Sequence, residues 1–211
     1  MRLLPSYRAT TVFMLLVFLA SWIKPLWPVE QALHSSLTVL GFAALWWYRR
    51  RYVLSERDYL LIAVFIATHC IAARWLYSNV PYDHWAQSAL GVSLNQLLGW
   101  QRNNFDRLVH FLYGFCLTPP IAAHVVQRYR QSGRFAFGVA ITAIMVTSLW
   151  YEWFEWLIAV TLSPTQAEAY NGQQGDMWDA HKDMLTATLG SLLWWLHYRR
   201  QRGTAEAACT T

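Results

Sequence analysis

The stretch from Asp106 to Gln127, DRLVHFLYGFCLTPPIAAHVVQ, decides the fold of this chain. It is about as long as an α-helix must be to cross the roughly 30 Å of hydrocarbon in a bilayer, and its one acid stands at its start. Pro119 and Pro120 fall near its middle, where a membrane helix tolerates a kink if neighbouring helices satisfy the freed carbonyl groups. The stretch therefore predicts a membrane-spanning helix with polar residues at one end.

The composition of the whole chain indicates the same class. Of the 211 residues, 55% are hydrophobic and 14% are charged, and 13 are tryptophan, which is too apolar for an ordinary soluble domain. Six stretches approach or reach the length of a membrane span. They are about residues 10–27, 31–48, 59–77, 107–127, 135–156 and 179–198. We expect an all-α fold, a polytopic bundle of six transmembrane helices forming a single domain over residues 1–202.

The segments outside these spans have their own patterns. In the long connection 78–105, tryptophan and leucine alternate with polar residues, which indicates a helix lying in the membrane interface, with an irregular loop as the alternative. Residues 203–211 predict a disordered tail. The first apolar stretch follows two arginines, as a secretory signal would, but no small-residue cleavage site comes after it. We therefore expect a retained first helix.

The arginines predict the orientation of the bundle. Twelve of the seventeen lysines and arginines fall at alternate ends of the spans, and therefore on one side of the membrane. They are Arg2, Arg8, Arg49, Arg50, Arg51, Arg57, Arg128, Arg130, Arg134, Arg199, Arg200 and Arg202. By the positive-inside rule both termini are cytoplasmic. The net charge of +5 follows from this topology and gives no support to nucleic-acid binding, because the arginines flank spans and line no single surface.

Half of the twelve acidic residues lie in three short pieces at the predicted outer ends of spans. The pieces are D106xxxH110, E152xxE155 and D176xxD179xxxD183. A carboxylate at the bilayer centre costs about 2.5–3.5 kcal/mol, so a group of them near helix ends calls for a cation, a proton or water. At helical pitch the acids of each piece share one face. The three pieces are therefore able to form one site.

Each piece has a chemical interpretation and a structural alternative. Asp106 and His110 suit a divalent ion or an acid that orients a general base, or else a helix cap beside a core histidine. Glu152 and Glu155, inside an aromatic run, either share a cation or hold a proton. The three aspartates of the third piece suit Mg²⁺, Mn²⁺ or Ca²⁺ as ligands, and adjacent imidazoles would shift the preference toward Zn²⁺ or Fe. The structural alternative is that these acids interact with the positive end of the helix dipole. The predicted metal ligands are Asp106, His110, Glu152, Glu155, Asp176, Asp179 and Asp183; the predicted catalytic residues are His110, Glu152 and Glu155.

Other polar residues receive less specific predictions. Arg107 and Arg74 are predicted to bind substrate, because a guanidinium suits bidentate contact with an oxyanion, although Arg74 can instead snorkel to the surface or neutralise an acid. His181 is expected to point away from the aspartates. The remaining histidines of the spans are expected to be core or interface residues: His69, His124 and His197. The three cysteines have no paired spacing and predict no disulfide framework.

The order of DRLVHFLYGF, YEWFEW and GDMWDAHKDMLTATLGSLL resembles the YjdF-like family of bacterial inner-membrane proteins over the six-span layout. More distantly, the second half of the chain resembles the VanZ-like proteins, which carry an Asp-basic-x-x-His-Phe piece, a later Glu and an Asp-x-x-x-Asp piece. That pattern matches Asp106, His110, Glu152 or Glu155, Asp179 and Asp183. The second glutamate and Asp176 depart from it, so the glycopeptide-resistance role of VanZ relatives does not carry over. The resemblance implies a bacterial inner membrane and no particular reaction.

The third piece also matches, in spacing alone, the Asp-rich motif with which UbiA-like membrane prenyltransferases hold magnesium on a diphosphate. Those enzymes are larger and use a second Asp-rich motif, in whose place this chain has D106xxxH110 and the two glutamates. The similarity implies that such a stripe suits Mg²⁺ chemistry at a membrane interface.

Three functions are compatible with these residues. The first is a metal-dependent membrane hydrolase or transferase that holds Mg²⁺, Mn²⁺ or Zn²⁺ and acts on a lipid-linked or phosphate-bearing substrate. The second is a proton- or cation-coupled transporter that uses the same acids. The third is a structural or partner-binding membrane protein. The sequence has no HExxH helix, GxSxG elbow or phosphate-binding Gly-Lys loop, which argues against the usual metalloproteases, serine hydrolases and P-loop ATPases.

Overall fold

The computed structural model describes residues 4–161 and 170–199, and every regular element in these residues is an α-helix. The helices are α1 (Tyr7–Ser21), α2 (Pro28–Arg51), α3 (Glu56–Arg74), α4 (Tyr82–Leu90), α5 (Leu94–Leu98), α6 (Phe105–Tyr129), α7 (Gly133–Thr161), α8 (Asp179–Leu192) and α9 (Trp195–Tyr198). The predicted all-α class is confirmed. The tail predicted for residues 203–211 lies outside the described residues.

Each predicted span coincides with a helix, although the bounds differ. By length and composition α6 and α7 are able to cross a membrane, and α1 is a shorter apolar helix. The first span was predicted to reach residue 27, but α1 ends at Ser21 because the chain turns there and Pro28 begins α2. The last span is divided between α8 and α9. The connection 78–105 contains α4 and α5, which end at Leu90 and Leu98 and are capped by Gly91 and Gly99 with φ of 71° and 67°.

Helix α6 is the centre of the bundle and packs against α3, α7 and α8. Helices α6 and α8 run in the same direction, whereas α7 runs in the opposite direction. Between α6 and α8, Arg107 contacts Asp179 and Thr118 bonds to Ser191, and between α6 and α7, His110 faces Tyr151 and Tyr113 bonds to Thr147. The start of α6, the start of α8 and the later part of α7 therefore lie at the same end of the bundle.

Helices α6 and α8 approach until their backbones touch. A Cβ atom added to Gly114 would lie 1.8 Å from the carbonyl oxygen of Ala187, and one added to Gly190 would lie 2.1 Å from that of Phe111. Only glycine fits at either position, as is common where membrane helices pack closely. This contact lies about one turn from His110 on α6 and from Asp183 on α8, so it holds those two side chains close together.

The double proline of α6 is accommodated as the sequence predicts. Pro119 has no N–H to donate to the carbonyl of Phe115 four residues earlier. The indole Nε1 of Trp194 donates to that oxygen instead, at 2.7 Å. Trp194, in the turn between α8 and α9, thus satisfies the freed carbonyl, and α6 continues to Tyr129.

Candidate functional site

The three acidic pieces meet at one end of the bundle, where two arginines bind the aspartates of the third piece. Arg107 donates to Asp179 at 2.5 Å, to Asp183 at 2.9 Å and to Asp176 at 3.1 Å. Arg102 donates to Asp179 at 2.7 Å and to Asp176 at 3.3 Å. Sequence reasoning predicted a metal-binding carboxylate stripe here. The structure instead shows an ion-pair network in which Asp179 is neutralised by two guanidinium groups.

Asp176 also differs from the prediction in its position. Helix α8 begins at Asp179, so Asp176 lies in the preceding turn and not on a helical face. Its Oδ1 accepts from the backbone N–H of Trp178 at 3.1 Å, and its Oδ2 accepts from Lys182 Nζ at 2.6 Å. The hydrogen bond from Lys182, assisted by that from Trp178, lowers the pKa of Asp176 below its ordinary value. Asp176 is therefore an ionised partner of cations.

A buried group beside this network is a candidate metal centre: Asp106, His110 and Asp183, of which Asp183 also accepts from Arg107. One ligand atom from each of the three lies within 4.8 Å of the others, and His110 Nε2 is 3.5 Å from Asp106 Oδ1. Two ligands of one zinc ion lie at most roughly 4.4 Å apart, because each metal–ligand bond is about 2.0–2.2 Å. Small side-chain adjustments would therefore bring all three atoms onto one ion. We call this group the buried triplet.

The glutamates of α7 flank the buried triplet. Glu152 is 7% exposed, and its Oε1 has no hydrogen-bond partner among the described residues. It lies within electrostatic range of His110, whose ring packs edge-on against Tyr151 at 5.9 Å. Glu155 is half-buried, and its backbone carbonyl accepts from Asn171 at 3.2 Å. Glu152 thus has a free buried oxygen facing the same region, whereas neither glutamate is part of the buried triplet.

The predicted substrate-binding arginines are both engaged within the protein. Arg74 donates to the carbonyls of Ser21 at 2.8 Å and Ile23 at 2.7 Å, so it closes the turn after α1. Arg107 is occupied by the aspartates described above. These contacts give no support to either prediction.

Sequence reasoning missed Arg102. This arginine lies in the loop before α6, and its Nη2 is buried without a hydrogen-bond partner in the described part of the chain. A loop arginine is ordinary in sequence, and its position four residues before Asp106 was the only signal that it belonged to the cluster.

The histidines predicted to be structural have the contacts of packed side chains. Tyr48 forms a hydrogen bond with His124 Nδ1 at 2.8 Å, and Tyr77 forms one with His69 Nδ1. His181 is exposed and packs against Trp178, so it points away from the aspartates as expected.

Comparison with known proteins shows that this chain is similar to membrane proteins. Residues 7–203 match the family described as predicted membrane protein DUF2238. The chain belongs to this family. It is also 33% identical, over 147 residues, to the inner membrane protein YjdF of Escherichia coli strain K12. That match covers 68% of this chain and 65% of the relative, slightly less than two thirds of the relative's length. No solved structure matches the chain. The resemblance to YjdF-like proteins is thus confirmed, and the similarity to VanZ-like proteins stays a prediction.

Proposed function

We propose that this membrane protein is a metal-dependent hydrolase or transferase whose buried triplet holds one divalent cation. The observation that carries the proposal is the convergence of two carboxylates and an imidazole on one point, within 4.8 Å of one another and shielded from solvent. A relay for protons would instead place its groups in succession along the bundle. Convergence favours a metal over such a transporter.

The balance of charge supports a bound cation. Five carboxylates, those of Asp106, Asp176, Asp179, Asp183 and Glu152, lie beside three permanent cations, Arg102, Arg107 and Lys182. A buried carboxylate without a counterion is costly. With all five carboxylates ionised and His110 neutral, the group would carry an excess negative charge that a divalent cation at the buried triplet would offset.

The ligand set suits Mn²⁺ or Zn²⁺ better than Ca²⁺. Imidazole favours transition metals, whereas two carboxylates are acceptable to Mg²⁺, Mn²⁺ and Zn²⁺. Three protein ligands leave at least one coordination position for water or substrate, as catalytic sites do. A metal at this site would act as a Lewis acid and activate water, and Glu152, with its free buried oxygen, would accept the proton.

The substrate we propose is a lipid-linked or phosphate-bearing molecule of the outer leaflet. The arginine pattern supports six spans with both termini cytoplasmic, which would put the acidic end in the periplasm of a bacterial inner membrane. The free Nη2 of Arg102 is a donor suited to a phosphate oxygen.

Metal content and turnover test the proposal together. Purified protein would be stripped with chelator, reloaded separately with Mn²⁺ and Zn²⁺, and desalted for elemental analysis at neutral pH. We expect about one ion per chain in the wild type and a loss of affinity of more than about tenfold in Asp106→Asn and Asp183→Asn. The loaded proteins, reconstituted with bacterial phospholipids, would then be assayed for release of phosphate or headgroup, which both variants should abolish.

Asp83→Asn is the matched control. Asp83 is an acid of the connection 78–105, outside the buried triplet, and it accepts from Ser93 and from the backbone N–H of Asn95. This variant should keep metal and turnover. A wild-type protein that holds no stoichiometric metal after reloading would refute the metal site.

A further inference from the structure

An apolar cavity of about 240 Å³ lies among α2, α3, α6 and α7, directly beside the buried triplet. A water molecule occupies only about 10–15 Å³ on a comparable measure, so the cavity is far larger than one or two waters need. The part farther from the buried triplet is lined by Gly41 of α2, Phe65 of α3, and Tyr113 and Thr147 at the facing turns of α6 and α7. An added Cβ atom at Gly41 would meet no atom within 4 Å, so the space beside this glycine is open.

The other part of the cavity carries a few polar atoms and reaches the candidate metal centre. His110, a member of the buried triplet, lines the cavity together with Ser148 and Tyr151. Ser148 is 2% exposed, and its Oγ has no hydrogen-bond partner in residues 4–161 and 170–199. A buried hydroxyl without a partner is unfavourable. Its position on the cavity wall points to a polar ligand atom that would complete its hydrogen bonding.

The cavity opens sideways, between α2 and α7. Leu37 of α2 and Thr147 of α7 both line it, yet both are exposed on the surface of the bundle. Helix α2 packs chiefly against α3, and no extended contact joins it to α7 among the described residues. Helix α7 is long and apolar enough to cross a membrane, and in a bilayer that it spans the opening would face lipid hydrocarbon.

We infer that this cavity binds one hydrocarbon chain of a membrane lipid, which enters between α2 and α7 and directs its polar end to Ser148 and His110. The apolar wall suits an acyl chain, and the cavity lining extends from His110 and Ser148 to Gly41. The inference rests on the proposed function in one respect: the lipid's polar end would be the group that reacts at the metal.

Photocrosslinking in lipid nanodiscs tests the inference. Wild-type protein would be reconstituted in phosphatidylethanolamine and phosphatidylglycerol containing a phospholipid with a diazirine on one acyl chain, irradiated, and mapped by mass spectrometry. We expect labelled peptides from the lining turns of α3 and α7, residues 65–69 and 147–151. Gly41→Leu should reduce this label several-fold, because the new side chain fills the cavity without meeting backbone.

Gly138→Leu is the matched control. Gly138 lies exposed on α7, outside the cavity lining, and an added Cβ there also meets no atom within 4 Å. Its labelling should equal that of the wild type. If Gly41→Leu does not elute as a folded protein in gel filtration, Thr147→Trp at the exposed edge of the opening serves in its place.

The metal measurement, repeated on the same preparations, separates the two hypotheses. The inference is supported if the lining turns are labelled in the wild type and if Gly41→Leu loses this label while that variant retains its metal. Label of equal intensity in Gly41→Leu and wild type, or label only outside the lining, overturns it even if metal is bound. Label that behaves as expected in a wild-type protein without metal would refute the proposed function and leave the lipid site standing.

Discussion

At the scale of single residues, Arg107 determines how the acidic end is held together. Its guanidinium reaches three aspartates at once, two of which are buried. Replacement by lysine keeps the charge but loses the planar fork of donors that makes these contacts possible. We expect Arg107→Lys to lower the free energy of unfolding by on the order of 3 kcal/mol, because at least one buried carboxylate loses its partner.

Thermal unfolding in detergent, followed by tryptophan fluorescence, would measure this change. Arg134→Lys is the control, since Arg134 is exposed and donates to a single carbonyl, that of Arg199, at 3.0 Å. The control should stay within about 0.5 kcal/mol of the wild type. Equal stability of the two variants would show that the network contributes nothing to folding.

Residue types alone predicted part of the site. Asp106 and His110 were identified from a spacing of four on one helix, and that spacing places them 3.5 Å apart. The grouping of Asp183 with Asp106 and His110, in addition to its ion pair with Arg107, was not predictable from spacing, because it depends on how α6 and α8 pack. Which carboxylate pairs with which arginine depends on the folded structure. Sequence spacing reports only which charges share a helix face.

At the scale of elements, the contact between α6 and α8 positions the candidate metal centre. Gly114→Ala and Gly190→Ala would each place a methyl group inside a facing backbone. We expect either substitution to cost about 1–3 kcal/mol of stability, the usual penalty for overpacking, and to weaken metal binding by displacing Asp183 from His110.

Gly138→Ala is the element-scale control and should behave oppositely. An added Cβ at this exposed position of α7 meets nothing within 4 Å, so alanine should stabilise the helix by up to about 1 kcal/mol. Chemical denaturation of the three variants, with metal titration on each, would compare them. A Gly114→Ala protein as stable as Gly138→Ala would contradict the close helix contact.

The six helical regions were largely predictable from apolar stretches with flanking arginines, although among the described residues only α6 and α7 are long and apolar enough to cross a membrane. The ends of the helices were not predictable. The early end of α1 depends on a turn closed by backbone amides, and the position of Asp176 in the turn before α8 depends on the hydrogen bond that it accepts from Trp178. The backbone contact at Gly114 was also missed, since a glycine in an apolar helix has no distinctive neighbours in sequence.

At the scale of the whole molecule, the arginine pattern predicts which end of the bundle faces outward. Ser88 of α4 and Gln131, between α6 and α7, are both exposed and are predicted to lie on opposite sides of the membrane. In a Cys209→Ser background, an impermeant maleimide should label Ser88→Cys from outside spheroplasts and Gln131→Cys only after permeabilisation. The native Cys70 and Cys116 are buried and should not react.

The outcome decides where the acidic end lies. Labelling of Gln131→Cys in intact spheroplasts would reverse the orientation and move the proposed substrate to the inner leaflet. The parent background without either new cysteine provides the unlabelled control.

Helix α2 is fastened to the rest of the bundle at both ends. Near one end His34 stacks on Tyr170 with ring centroids 4.2 Å apart, and near the other Tyr48 bonds to His124. Between these two contacts, α2 makes no extended contact with α7 in the described residues, so a gap separates the two helices. Because α2 is held near both ends, the gap between α2 and α7 would stay open when no ligand occupies the cavity. Lipids would then enter and leave the cavity without a separation of α2 from α7. The fixed width of the gap would admit a hydrocarbon chain and exclude a bulky ring system.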